Sequence, residues 1–139
     1  MTLQDYINSG LYNEKQINQL RLGTKFGTDL AKFSNPAFNW KQMREIRIGL
    51  RRGIPVFFYD SVELSHQTMR EIRKALECDI FIVPFLDKGY NHLQLNQIII
   101  ALIDGISVES FQNPTYRWQH MKEIRMNLTL GVIDNLMVA

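Results

Sequence analysis

Arg44-Glu45-Ile46-Arg47 returns 26 residues later as Arg70-Glu71-Ile72-Arg73, and two periods beyond that as Lys122-Glu123-Ile124-Arg125. Asn18-Gln19-Leu20-Arg21 and Asn96-Gln97-Ile98-Ile99 fill the other two places in the series, so five copies follow one another without an insertion. A fixed period of this length marks a stacked repeat architecture, in which each unit buries an apolar face that it cannot bury alone. It also bears on function, because repeat stacks present extended surfaces to partners more readily than they enclose a catalytic pocket.

Working outward from these tetrads, each copy carries a full set of helix signals. The N-cap position reads Asn13, Asn39, Ser65, Asn91 and Arg117, and three residues on come Gln16, Gln42, Thr68, Gln94 and His120. Asn or Ser followed by Gln at that spacing approaches a capping box. Tyr12, Phe38, Leu64, Tyr90 and Tyr116 precede the cap, and Ile17, Met43, Met69, Leu95 and Met121 follow it by four, which is the pairing of a hydrophobic staple. The apolar stripe runs on through Leu20, Ile46, Ile72, Ile98 and Ile124. Spacings of three and four place these residues on one helical face. Gly23, Gly49, Ala75, Ala101 and Asn127 follow, and their small size in the first four copies predicts close approach of a neighbouring helix. Gly27, Gly53, Gly105 and Gly131 stand where a left-handed residue ends a helix, with Asp79 in that place in the third copy.

A shorter element follows each glycine. Ile54, Val56 and Tyr59, with Ile80, Ile82 and Phe85, are spaced by two and then three, so a short helix and a short strand both remain open; caps such as Asp29 and Ser107 favour the helix. The expected fold is all-α, an α-solenoid of five helix-turn-short-helix repeats in a single repeat domain spanning 1–139. Residues 1–9 would form an N-terminal cap, with Ile7 in register with Phe33, ahead of repeats 10–35, 36–61, 62–87, 88–113 and 114–139. The last copy departs from the pattern at Asp134 and ends in Leu136, Met137 and Val138, which suit either a self-folded cap or a dimer contact.

The segment Gln42-Met43-Arg44-Glu45-Ile46-Arg47-Ile48-Gly49-Leu50, with Gly53 and Tyr59 beyond it, resembles a family of helical repeats with the pattern Q-M-x-E-I-R-x-G-L, then G-Φ-x-V-x-x-Y. Such repeats occur in poorly characterised proteins of Gram-positive bacteria and their mobile elements. The resemblance brings no catalytic residues. It implies a role in conflict between host and element, such as a phage or mobile-element inhibitor of a host defence nuclease, of anti-CRISPR or antirestriction type.

Composition sets outer limits. The chain has 139 residues, 45% hydrophobic and 22% charged, with a net charge of +2, which by itself does not argue for nucleic acid. A lone cysteine, Cys78, excludes an internal disulfide and is expected to be buried or inert. No basic stretch followed by an apolar core opens the chain, and a cytoplasmic protein without a membrane span is expected. No P-loop, dinucleotide fingerprint, HExxH or Cys-x-x-Cys is present, so no enzyme and no cofactor is expected. His66 and His92 share a repeat position, but stacked helices would hold them about 10 Å apart with no third ligand, and no metal site is expected.

Candidate binding residues lie elsewhere. Lys41, Arg44 and Arg51 share an outer helical face with Arg52 beside it, Arg70 and Lys74 continue the stripe, and Lys122 reappears in the fifth copy. Residues 38–76 carry eight basic and four acidic side chains, whereas 77–112 carry one and five, a polarity suited to steering an anionic partner. Leu93, Ile100 and Ile103 occupy the corresponding outer positions of the fourth copy and predict an apolar patch. Arg21, Arg47, Arg73 and Arg125 edge the buried stripe, where they either pair with the Glu two positions earlier on an adjacent copy or face a ligand. The joint change to Gln97 and Ile99 in the fourth copy favours the pairing. The leading expectation is a protein partner bound by a monomer, or by a dimer formed through the C-terminal end. The alternative is a nucleic-acid-binding module using the basic stripe of the second and third copies; no interleaved aromatic residues are evident there.

Overall fold

A computed structural model describes the backbone of residues 1–138 and the side chains up to Gly131. Six α-helices account for its regular structure: α1 (Leu3–Asn8), α2 (Glu14–Lys25), α3 (Trp40–Arg51), α4 (His66–Glu77), α5 (His92–Ile103) and α6 (Trp118–Val138). No strand forms among the described residues, so the short element resolves as helix-like. It is one 3₁₀ turn in the first three copies, Leu30–Lys32, Val56–Phe58 and Val83–Phe85, and a hydrogen-bonded turn from Val108 to Phe111 in the fourth. Backbone packing divides the chain into two compact units, Met1–Arg73 and Lys74–Ala139, with the division inside α4. α1 and α3 pack on α2 in the first unit, and α5 packs on α6 in the second.

The helices begin where the caps lie. Asn13, Asn39 and Asn91 each accept from the backbone N–H of the Gln three residues on, and each Gln side chain accepts from its cap's N–H. Ser65 accepts from the N–H of Thr68 at 3.1 Å. The Gln side chains do more than close a box. Gln16 Nε2 donates to the carbonyls of Pro36 and Phe38, Gln42 to those of Val62 and Leu64, and Gln94 to those of Pro114 and Tyr116. Each cap is thereby tied to the loop that introduces the next helix.

Helices α2 to α5 are each 12 residues long, about 18 Å at 1.5 Å per residue. All four end alike. The N–H of Thr28, Ile54, Ile80 or Ile106 reaches the carbonyl five residues back, at Gly23, Gly49, Ala75 or Ala101, over a left-handed Gly27, Gly53, Asp79 or Gly105. This double-bonded terminus turns the chain back along its own helix. The small residue is needed for that return, not for a neighbouring helix. A Cβ on Gly49 would lie 2.0 Å from Tyr59 Oη, and one on Gly23 would lie 2.6 Å from Phe33 Cζ, both aromatic side chains of the same copy's short element.

The fifth copy breaks the rule. α6 runs through Gly131 to Val138, so Gly131 does not end a helix. Asn127 stands where the other copies have Gly or Ala, and Met137 where they have Phe33, Tyr59, Phe85 or Phe111, so the fold-back has no seat in this copy. The side chains of Leu136, Met137 and Val138, expected to form a cap or a dimer contact, and of Asp134, where the pattern departs, lie outside the described residues. At the other end the cap is the short helix α1, closed by Thr2 and Asp5, and its buried residue is Tyr6 rather than Ile7, because Tyr6 meets the ring of Tyr12 edge-on at 6.1 Å. Leu20, Met43, Ile46, Met69 and Ile72 form the core of the first unit. Leu95, Ile98, Ile99, Ala101, Phe111 and Met121 form that of the second.

Candidate functional site

The arginines at the edge of the buried stripe resolve first. Arg47 Nε donates to Gln19 Oε1 at 3.0 Å, Arg73 Nε to Glu45 Oε2 at 3.0 Å and Arg125 Nε to Gln97 Oε1 at 2.9 Å. Each partner lies 28 residues back, so the pairing is structural and runs between adjacent copies. Gln97 accepts from Arg125, so its change together with Ile99 is not the loss of one pair. Arg21, on α2, is exposed.

The second, fifth, ninth and twelfth residues of each helix share the opposite, outward face. In the first unit these are Lys15, Asn18, Leu22 and Lys25 on α2, Lys41, Arg44, Ile48 and Arg51 on α3, and Gln67 and Arg70 on α4. Six are cations and none is a carboxylate. The acidic residues of these helices within the first unit sit elsewhere: Glu14 opens α2, while Glu45 and Glu71 are buried; Glu77, the exposed twelfth residue of α4, belongs to the second unit. Glu45 is wholly enclosed and is approached by Arg73 at 3.0 Å, Arg70 at 3.3 Å and Arg44 at 3.5 Å. One buried carboxylate thus anchors three guanidinium groups, two of which stay partly open to solvent.

Two aromatic rings stand among these cations, which corrects the expectation that none is interleaved. Trp40 is half-buried, with Lys15 Nζ 5.6 Å, Lys41 Nζ 5.7 Å and Arg44 Cζ 5.3 Å from its centroid. Phe26 is exposed, with Arg51 Cζ 3.8 Å and Lys25 Nζ 5.7 Å away. Both rings occupy helix ends and are out of register with the stripe in sequence. Packing of α2 against α3 carries each into it, since Lys15 reaches the tryptophan of the next helix and Arg51 the phenylalanine of the previous one. Cations within about 6 Å of a ring face are attracted by its quadrupole. Two open clefts lie along the face, one lined by Lys15, Asn18, Gln19 and Trp40, the other by Arg47, Ile48, Arg51 and Arg52.

The local potential is positive. Burial, then repulsion from Arg51 and Arg44, lowers the pKa of Arg47, and Glu45 only partly opposes this. Burial likewise lowers that of His66, with Lys41, Arg44 and Arg70 adding to it against Glu45. The folded state therefore resists protonating His66, whereas the unfolded chain takes up that proton near pH 6.5. Stability is expected to fall as the pH drops through that value and to be regained above it. The urea midpoint measured between pH 7.5 and 5.5 should fall less in His66→Gln than in the unsubstituted chain; equal slopes would remove His66 as the cause.

The second unit differs at the same positions. Leu93 and Ile103 on α5 are 41% and 53% exposed, and Ile100 is half-buried. On α6, Met126 at the ninth position is 49% exposed, and Leu130, one residue past the twelfth, is 57% exposed. The nine expected binding residues therefore divide. Lys41, Arg44, Arg51, Arg52 and Arg70 belong to the first unit, and Lys74, Leu93, Ile100 and Ile103 to the second, with Lys74 exposed. Cys78 is exposed rather than buried. His66 and His92 are half-buried, and no group of three or more metal-ligating side chains occurs among the described residues. No described helix is long and apolar enough to cross a membrane.

Comparison with family models, with curated proteins and with solved structures finds no match to this chain.

Proposed function

We propose that the five copies stack as an α-solenoid acting as a non-enzymatic binding module, and that the outward face of α2, α3 and α4 in the first unit binds a nucleic-acid strand. The carboxylate-free row of six cations carries the reading. A partner with a repeating negative charge is drawn to such a row, and its condensed counterions are released on binding. Trp40 and Phe26 add what a purely electrostatic surface lacks, flat faces that any base can stack on. Recurrence of the same inter-copy bonds, Arg to the residue 28 back and Gln to the carbonyl 22 ahead, supports the stacked arrangement within each unit.

Fluorescence anisotropy with labelled single- and double-stranded DNA and RNA tests this. Binding at about 50 mM salt should weaken by an order of magnitude or more at about 200 mM. Neutralising Lys41 and Arg51 to glutamine should lower the slope of log affinity against log salt by about 0.7 for each phosphate that is no longer neutralised. Absence of binding to every probe at the lower salt would refute the reading.

The exposed Leu93, Ile103, Met126 and Leu130 of the second unit favour a second reading, a protein partner. An inhibitor of a host defence nuclease, the role implied by resemblance to mobile-element repeats, would use these side chains. Ile103→Asp would then abolish inhibition of such a nuclease without altering nucleic-acid binding.

A further inference from the structure

We propose that the cleft lined by Lys15, Asn18, Gln19 and Trp40 receives one unpaired nucleobase stacked on the indole, which makes the preferred ligand single-stranded. This rests on the nucleic-acid reading of the same face and specifies its substrate class.

Trp40 has no place in the apolar core. It is the first residue of α3, where the other copies carry Glu14, His66, His92 and Trp118, so the fold does not demand an indole there. It stays half-buried beside an open cleft, with three cations around the ring. Lys15 and Lys41 reach it on flexible four-carbon stems. They can therefore leave the ring face and follow the phosphates on either side of a base that takes their place.

The rest of the lining suits a base edge. Asn18 offers a carbonyl oxygen and an NH₂ group from one exposed side chain, a donor and an acceptor for the polar rim of any base. Gln19 is buried, and its oxygen accepts from Arg47 Nε, which fixes this amide as the floor of the cleft. Arg44, 5.3 Å from the Trp40 centroid, and Arg70 are both held by the buried Glu45, so unlike the two lysines they stay in place when a base enters. Bases inside a duplex are stacked on one another and present only their edges to the grooves. An unpaired base has an open face, and that is the feature an isolated indole among cations recognises.

The probe is an oligothymidylate of about twelve nucleotides, within the span that single-strand binding surfaces cover. It is compared with an abasic strand of the same length and charge and with a duplex. Anisotropy with the unsubstituted chain should show the abasic strand binding about tenfold or more weakly than the oligothymidylate, the loss expected for one stacked base. In Trp118→Phe, Trp40 is the sole tryptophan, and its emission should be quenched by the oligothymidylate but not by the abasic strand. Trp40→Ala should bring the oligothymidylate down to the abasic level. Equal binding of normal and abasic strands with unchanged Trp40 emission would overturn the inference and leave the nucleic-acid reading standing. Failure of all three probes to bind would remove both.

Discussion

Glu45→Ala is expected to lower the free energy of unfolding by about 3 kcal/mol, the scale on which removing one partner of a buried ion pair destabilises a protein. Glu45 is wholly enclosed, and it accepts from Arg73, itself only 8% exposed, at 3.0 Å. Without the carboxylate, the guanidinium remains in the interior beside the row of cations on α3. Glu45→Gln should behave differently, because the chain already contains that arrangement twice. Gln19 accepts from Arg47, and Gln97 from Arg125, through the same Nε and at the same separation in sequence. A cost under about 1 kcal/mol is expected for Gln, since the hydrogen bond to Arg73 is kept and only the charge is lost. Urea denaturation of the two variants decides the matter. An alanine variant as stable as the glutamine variant would show that the pairing contributes nothing to the fold.

Gly49→Ala is the second large effect, expected to destabilise by about 2 kcal/mol despite alanine's better helix propensity. The new methyl would lie 2.0 Å from Tyr59 Oη and 2.8 Å from Val56 Cγ1. Tyr59 is 1% exposed, and its hydroxyl donates to the carbonyl of Glu45 at 2.8 Å, so it has nowhere to retreat without breaking that bond. The third and fourth copies show the compensated form: Ala75 goes with Phe85, and Ala101 with Phe111. Gly49→Ala with Tyr59→Phe should therefore be more stable than Gly49→Ala alone. Calorimetry on the two single variants and the double variant completes a cycle, and strictly additive losses would sink the proposed clash.

The two effects share a lesson about what can be read from a repeat. Comparison of copies shows that position 49 is small and that position 59 is aromatic, but not that they meet. Their contact arises because Gly53 turns the chain back by a double-bonded terminus. The same holds for Gln16, Gln42 and Gln94. Their capping role is local and follows from a spacing of three, whereas the bonds to carbonyls 20 and 22 residues ahead require the next helix to be in place.

The candidate face divides along that line too. Lys41, Arg44, Arg51 and Arg70 are identifiable from periodicity, since positions three and four apart share a side of a helix. Trp40 and Phe26 are only partly so: Arg44 and Lys25 reach them within one helix, but Lys15 and Arg51 reach them from the neighbour. Gly131 shows the reverse failure. A glycine in the right register predicts a stop, yet the stop depends on a seat for the returning chain that Asn127 does not provide.

The amino-acid sequence by itself determined the period, the helix starts at Asn13, Asn39, Ser65 and Asn91, the left-handed ends at Gly27, Gly53, Asp79 and Gly105, and the outward row of cations. All of these follow from interactions spanning at most one helical turn or from the 3.6-residue repeat of the helix. Tertiary structure alone decided that Arg47, Arg73 and Arg125 face inward to the preceding copy, that a single buried carboxylate gathers Arg44, Arg70 and Arg73, and that two aromatic rings stand between the cations. Apart from that of Arg44, which neighbours Glu45 on α3, those contacts join residues on different helices, and only the packing of one helix against the next sets their distances.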